Sequence, residues 1–202
     1  MNQFNGYNEA KKEAQATGGM KLPAGAYVCK IEGVKYEKTD NGDRIALRFD
    51  ICEGDYKEFF KKQYEANTSE DRKWKGRVNI FVPTDDGSEK DGFRKKAFAS
   101  WTDSFEKSNQ GYTWDWDENK FRGKFIGIVF GNTGTVINGK EIVYTEPRFP
   151  VAVDRVRKGN VPEAKFKAKD GYTGKGASNN SVATDSNGFI TVPEGVEEDI
   201  PF

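Results

Sequence analysis

A tryptophan set among cations is the pattern in this chain with the clearest chemical meaning. The segment Arg72-Lys73-Trp74-Lys75 places one indole ring between guanidinium and ammonium groups. Cationic side chains pair with phosphates, and exposed rings stack on nucleobases, each stack contributing about 1–3 kcal/mol. We therefore expect Trp74 to be exposed, so that its loss weakens nucleic-acid binding without lowering stability. The alternative is a solvated charged loop with Trp74 turned back onto the core.

Other cations and rings are placed to extend this surface. Arg44 and Arg48 alternate with apolar residues, which puts them on the outer face of a strand. Residues 55–66 read as the next strand, with Phe60, Lys62 and Tyr64 on one face. The predicted contacts on this surface are Arg44, Arg48, Phe60, Lys62, Tyr64, Arg72, Lys73, Trp74, Lys75 and Arg77.

Two further segments carry rings or cations, but for each of them a role other than DNA binding is favoured. Lys140, Tyr144 and Arg148 form a second set of candidate contacts on a hairpin, where ordinary surface residues are the favoured interpretation. The alternating rings of residues 112–117 resemble a stacking platform, but their acidic neighbours would repel phosphate. We expect those rings to pack on the core.

The residues for catalysis or metal binding are missing or better explained otherwise. The chain has no histidine, which removes the commonest general base, and Cys29 and Cys52 make no zinc pattern. The carboxylates that a Mg²⁺-dependent nuclease would need occur at Asp85, Asp86, Glu89 and Asp91, and at Asp115, Asp117 and Glu118. Turns and a helix N-terminus explain both sets. We predict no catalytic residue, no metal and no cofactor.

The charges are divided between a basic body and an acidic tail. Residues 1–168 hold 30 basic and 26 acidic residues, and residues 169–202 hold two basic and six acidic ones. The tail is rich in Gly, Ser, Asn and Thr, so we predict that 169–202 is disordered. An acidic tail can compete with phosphates for a basic surface. No long apolar stretch or secretory leader occurs, and a cytoplasmic location is expected.

The hydrophobic periodicity predicts a mainly β domain. Strands are expected at 26–36 (with a bulge at Gly33), 44–52, 55–66, 78–82, 125–137 and 141–156. Asn41-Gly42 and Asn138-Gly139 predict tight hairpin turns. A capping box of Ser88 and Asp91 predicts a helix over 89–107. Its apolar stripe is expected at Phe93, Ala97, Trp101 and Phe105, with Phe98 beside it. Residues 8–17 read as a short helix.

The last six residues carry the one resemblance to a known family. Glu197, Glu198 and Asp199 lead into Ile200, Pro201 and Phe202, where we expect the chain to end. This run resembles the acidic C-terminal tip of bacterial and phage single-stranded-DNA-binding proteins. The resemblance is specific only over 197–202. It implies a tip that recruits replication, recombination and repair proteins and competes with DNA for the binding groove.

The predicted element order is that of a five-stranded OB-fold-like Greek-key barrel with one packed α-helix. We expect an N-terminal arm over 1–19, the barrel over 20–168 and a disordered linker with the acidic tip over 169–202. The expected function is non-catalytic, sequence-tolerant binding and protection of single-stranded DNA, in a bacterial cytoplasm if the protein is phage-encoded. The alternatives are a strand-annealing recombination protein, a metal-dependent nuclease and an adaptor that binds only proteins.

Overall fold

The computed structural model describes residues 21–174. The elements in chain order are β1 (Gly25–Glu37), β2 (Arg44–Ile51), α1 (Phe59–Ala66), β3 (Arg77–Phe81), α2 (Glu89–Ser108), a 3-10 helix (Glu118–Phe121), β4 (Phe125–Ile137), β5 (Lys140–Val151), α3 (Val153–Arg157) and β6 (Lys167–Ala168). The predicted N-terminal helix at 8–17 and the acidic tip at 197–202 lie outside the described residues.

The six strands form one mixed sheet in the order β3-β2-β1-β4-β5, with β6 beside β4. Neighbours along the main path are antiparallel, whereas β6 pairs with β4 in parallel. The long strand β1 joins the two halves, because its start pairs with β4 and the rest pairs with β2. The prediction of a mainly β domain is confirmed. The prediction of a closed barrel is not, since the sheet is open and β3 and β5 are its edges.

The core lies between the inner face of the sheet and the helices. Alternating residues of β2 point inward as predicted, and the buried set includes Ile45, Leu47, Phe49 and Ile51. Aromatic rings from other elements complete this core: Phe105, Phe121 and Phe130 are each at most 1% exposed. These rings come from α2, the 3-10 helix and β4, so one cluster unites both halves of the sheet.

The buried stripe of α2 differs from the one that the sequence predicted. Phe98, Trp101 and Phe105 are buried, whereas Phe93 is 48% exposed and Ala97 is also exposed. At about 100° per residue, Phe93 lies about 140° around the helix from Phe98, so both cannot face the core. The helix start is as predicted, since the Ser88 hydroxyl accepts a hydrogen bond from the Asp91 backbone N–H at 3.1 Å.

The two Asn-Gly sequences form different turns. Asn138 and Gly139 both have positive φ angles, 51° and 72°, and join β4 to β5 in the predicted two-residue turn. At the first hairpin the Gly42 N–H donates to the Thr39 carbonyl, so the turn is centred on residues 40–41 within a longer loop. The predicted hairpin is confirmed there, but the prediction that its turn is a tight two-residue turn is wrong. The predicted bulge at Gly33 is confirmed by a register shift between Ile31 and Gly33.

Two predicted strands are partly or wholly helical. Residues 55–66 form a turn followed by α1, because Phe59 and Phe60 face the core from a helix rather than alternating across a strand. The strand predicted over 141–156 ends at Val151, and residues 153–157 form α3. The acidic Asp154 in the first turn of α3 and the basic residues in its last turn favour this short helix.

The described chain continues beyond residue 168, where we expected the domain to end. The Lys169 N–H donates to the Gly134 carbonyl at 2.9 Å, and the ring of Tyr172 lies directly over Gly134. Residues 169–174 therefore pack along the β4–β5 hairpin. Within residues 21–174, none of the helices is long and apolar enough to cross a membrane.

Candidate nucleic-acid interface

Helix α1 is held at its first turn by a carboxylate from β2. Asp50 Oδ1 accepts hydrogen bonds from the backbone N–H groups of Ile51 (2.8 Å) and Phe60 (3.0 Å), and Oδ2 accepts from that of Lys61 (3.0 Å). Burial raises the pKa of Asp50, and these backbone N–H groups partly oppose that rise. Asp50 thereby fixes the position of α1 and of the side chains that α1 carries. Sequence analysis did not identify this role, because two of the groups that Asp50 accepts from lie ten and eleven residues further along the chain.

The loop after α1 lies against β2 through Gly76. The Phe49 N–H donates to the Gly76 carbonyl at 2.9 Å, and the Trp74 indole Nε1–H donates to the Phe49 carbonyl at 3.0 Å. A Cβ atom on residue 76 would lie 2.3 Å from the Phe49 carbonyl oxygen and 2.8 Å from the Phe60 ring. Only glycine allows this close approach, which in turn positions Trp74.

Four side chains from β2, α1 and the loop form a continuous stack, which we call the Trp74 array: Arg48, Tyr64, Arg72 and Trp74. The Arg48 guanidinium lies 5.4 Å from the centre of the Trp74 ring, and the Arg72 guanidinium lies 4.6 Å from that of Tyr64. The two rings are 5.8 Å apart with an interplanar angle of 46°. Each guanidinium is within the range of a cation–π interaction, so the array is a preformed unit of two neighbouring rings with a guanidinium on each side.

Trp74 is half-buried, which corrects the expectation of a freely exposed ring. Its indole N–H is bonded to the backbone of β2, and the ring packs against the edge of the core. Because of this packing and this hydrogen bond, we now expect the removal of Trp74 to lower stability. The ring nevertheless stays at the surface, between Arg48 and Tyr64.

Exposed cations surround the array. Lys73, Lys75 and Arg77 are exposed, and no carboxylate within residues 21–174 forms an ion pair with any of them. Arg77 of β3 lies opposite Arg48 of β2, which brings two guanidinium groups to one row of the sheet. The ion pair of Arg48 with Glu32 is long, at 3.8 Å, and solvent-exposed, so it contributes little. Lys73, Lys75 and Arg77 are therefore free of close ion pairs with the described carboxylates, although Glu70 and Asp71 lie in the same loop.

Three other predicted contacts of this surface, Phe60, Arg44 and Lys62, are not members of the array. Phe60 is only 7% exposed and packs on Phe49 in the core, so it cannot stack on a base. Arg44 lies four residues before Arg48 on β2 and pairs with Glu37 at 2.7 Å. Lys62 is exposed on α1, where its ammonium donates to the Lys57 carbonyl at 2.9 Å.

The candidate contacts on the β4–β5 hairpin are mostly engaged within the protein. The Arg148 guanidinium pairs with Glu146 at 2.9 Å and donates to the Asn132 carbonyl at 2.8 Å. The Tyr144 hydroxyl accepts a hydrogen bond from Lys169 at 2.6 Å. Lys140 is exposed at the turn. Arg148 and Tyr144 therefore make contacts that hold β4, β5 and Lys169 together.

The aromatic segment 112–117 packs largely as expected. Trp114 stacks on the buried Phe121 with ring centres 4.7 Å apart, and Tyr112 also packs against the core. Trp116 is different: it is 76% exposed and lies on Phe98 with ring centres 6.0 Å apart.

The candidate metal ligands have structural partners instead. Asp91 Oδ1 accepts from the backbone N–H groups of Thr84 and Asp85, and Oδ2 pairs with Lys95. Asp115 pairs with Lys120. Within residues 21–174, no three Asp, Glu, Cys or His side chains are arranged to hold a metal ion.

Cys29 and Cys52 are free thiols. Cys29 lies opposite Ile51 in the pairing of β1 with β2, and Cys52 follows the end of β2. The two cysteines are therefore not facing neighbours across the hairpin.

No protein-family model matches this chain, and a search of curated proteins found no relative.

Proposed function

We propose that the protein binds single-stranded DNA through the Trp74 array and the cations around it, without reading sequence and without catalysis. The observation that carries this proposal is the stack of two guanidinium groups on two aromatic rings. It stands beside Lys73, Lys75 and Arg77, which form no ion pair with a described carboxylate.

The chemistry of the array suits a single strand in two ways. A guanidinium that lies on a ring offers its outer plane for stacking with a base, and its N–H edges donate to phosphate oxygens. Stacking requires bases that are not already enclosed in a duplex, which favours single strands. Neither interaction depends on the identity of the base, so the binding is expected to tolerate any sequence.

The arrangement of the elements supports the same proposal. We propose that the domain is a variant of the OB-fold in which β3 and β5 do not close the barrel. The strand order β3-β2-β1-β4-β5 and the position of α2 between β3 and β4 agree with this interpretation. OB-folds bind oligonucleotides on the face of their second and third strands. The Trp74 array lies at that face, with Arg48 on β2 and Arg77 at the start of β3.

The proposal predicts binding that depends strongly on salt. Each phosphate neutralised on a single strand contributes a slope of about −0.7 to the plot of log affinity against log salt concentration. Anisotropy titrations of labelled oligo-dT and of a duplex of equal length, at several salt concentrations, measure this slope and the preference. We expect oligo-dT to bind more tightly. Equal affinity for the duplex, or affinity that does not change with salt, would contradict the proposal.

For the tip, outside the described residues, we propose the recruitment of replication and recombination proteins. Three carboxylates beside Ile200 and Phe202 suit an apolar pocket with a basic rim. Phe202→Ala keeps these carboxylates and removes the ring, so it should abolish the capture of partners from a bacterial lysate while leaving DNA affinity unchanged. Phe189→Ala is the matched control in the same segment. Equal capture by Phe202→Ala and the unmodified protein would exclude the tip as the binding element.

A further inference from the structure

A second group of exposed rings and cations lies at the other end of β3. Phe81 is 39% exposed and Phe93 is 48% exposed, although both are large apolar side chains. They line an open groove of about 660 Å³ together with Asn41, Glu89, Lys90 and Arg94. The sequence assigned Phe93 to the core, so this groove was not expected.

Arg94 lies on an aromatic ring in the groove, as Arg48 does in the Trp74 array. Its guanidinium lies 5.1 Å from the centre of the Phe81 ring and donates a hydrogen bond to the Asn41 carbonyl. A Cβ atom on Gly42 would lie 2.7 Å from that guanidinium, so the loop between β1 and β2 approaches it closely. The first residues of α2, the end of β3 and this loop therefore form one surface around a ring–guanidinium pair.

The groove and the Trp74 array lie on the same face of the sheet. Arg48 is paired with Arg77, and Arg44 is paired with Phe81, so these four side chains belong to two rows of the outer face. The rows are four residues apart along β3, a distance of about 14 Å at about 3.4 Å per residue. A ligand that extends along β3 from the Trp74 array therefore reaches Phe81 and the groove.

We propose that the groove is a second base-stacking site for the same single strand, with Phe81 and Phe93 as its rings and Arg94 and Lys90 as its phosphate contacts. This proposal rests on the proposed function. A nucleic acid fits the groove better than an apolar peptide, because two of its lining residues are cationic and only Glu89 is acidic. The site would increase affinity only for strands long enough to reach from one group of rings to the other.

The dependence of affinity on oligonucleotide length tests this inference. An OB-fold domain covers roughly 4–16 nucleotides, so the two useful probes are oligo-dT strands of about four and about sixteen nucleotides. Phe93→Ala should weaken the longer strand by roughly five- to 150-fold, the factor that corresponds to one lost stack. The affinity of the shorter strand should change little, since that strand can bind at the Trp74 array. Phe166→Ala is the matched control, because Phe166 is 52% exposed but lies next to β6.

A charge variant provides a second and independent readout. Arg94→Gln should reduce the salt slope for the longer strand by about 0.7, the value for one phosphate contact. The inference is overturned if Phe93→Ala and Arg94→Gln both bind the longer strand as the unmodified protein does, while Trp74→Ala binds it weakly. Weakening by Phe166→Ala equal to that by Phe93→Ala also overturns it. If the unmodified protein binds neither strand, the proposed function itself fails.

Discussion

Trp74→Ala should weaken single-stranded DNA binding and destabilise the fold at the same time. The loss of one stacking ring costs about 1–3 kcal/mol of binding free energy. A Trp→Ala change at a fully buried position typically lowers the free energy of unfolding by about 3–5 kcal/mol. Because Trp74 is only half-buried, we expect its loss to lower the free energy of unfolding by about 2–3 kcal/mol. The lost hydrogen bond to the Phe49 carbonyl is part of this change. Denaturant unfolding and anisotropy titration measure the two quantities.

Two control variants separate binding from stability. Trp74→Phe keeps a ring but loses the indole N–H, so it should retain most of the DNA affinity while stability falls by about 1 kcal/mol. Trp116→Ala removes a ring that is 76% exposed and lies away from the array, and it should leave DNA affinity unchanged. Unchanged DNA affinity in Trp74→Ala, measured under conditions where the variant is folded, would show that Trp74 has only a structural role.

Gly76→Ala should be among the most destabilising single methyl additions in the domain. The new Cβ would overlap the Phe49 carbonyl oxygen, which belongs to the backbone of β2 and cannot move without disturbing the sheet. The new Cβ would also lie 2.8 Å from Trp74 Nε1 and 2.8 Å from the Phe60 ring, which is too close for van der Waals contact. Overpacking of this kind typically lowers the free energy of unfolding by about 1–3 kcal/mol. Because the overlap here is with a backbone atom, we expect a loss at the upper end of that range. DNA affinity should fall as well, because Trp74 would be displaced.

Gly92→Ala is the matched control for this variant. Gly92 lies inside α2, and apart from its chain neighbours and the nearby backbone of the helix, no heavy atom lies within 4 Å of the Cβ that alanine would add. Alanine is better than glycine in a helix by roughly 0.5–1 kcal/mol, so Gly92→Ala should be neutral or stabilising. Chemical denaturation of both variants compares them directly. Equal stability of the Gly76→Ala and Gly92→Ala proteins would mean that the loop does not lie against β2 as described.

Local patterns predicted most of the strands and the main helix correctly. The alternation of β2, the Ser88 capping box and the Asn138-Gly139 turn each depend on residues close together in the chain, so the sequence contains the whole signal. The same is true of the cations around Trp74, because a short run of charged residues between two elements must lie at the surface.

The features that the sequence did not reveal depend on residues far apart in the chain. Helix α1 has no side-chain cap at its own N-cap residue, Glu58, and is held by Asp50 of β2 instead. Without a local start signal, the rings of residues 55–66 also match a strand. Trp74 is turned toward β2 by a bond to Phe49, 25 residues away. Phe93 is exposed because the helix face that meets the core is set by Phe98, Trp101 and Phe105 together.

Photo-crosslinking tests most directly whether a single strand lies on the Trp74 array. An oligo-dT in which single thymines are replaced by iodouracil crosslinks on irradiation to aromatic side chains that stack on it, and mass spectrometry of the peptides locates the attachment. We expect crosslinks at Trp74 or Tyr64 in the unmodified protein and no crosslink at position 74 in Trp74→Ala, measured at equal occupancy. Crosslinks confined to Trp116, Phe166 or the β4–β5 hairpin would place the single strand elsewhere and contradict the proposed interface.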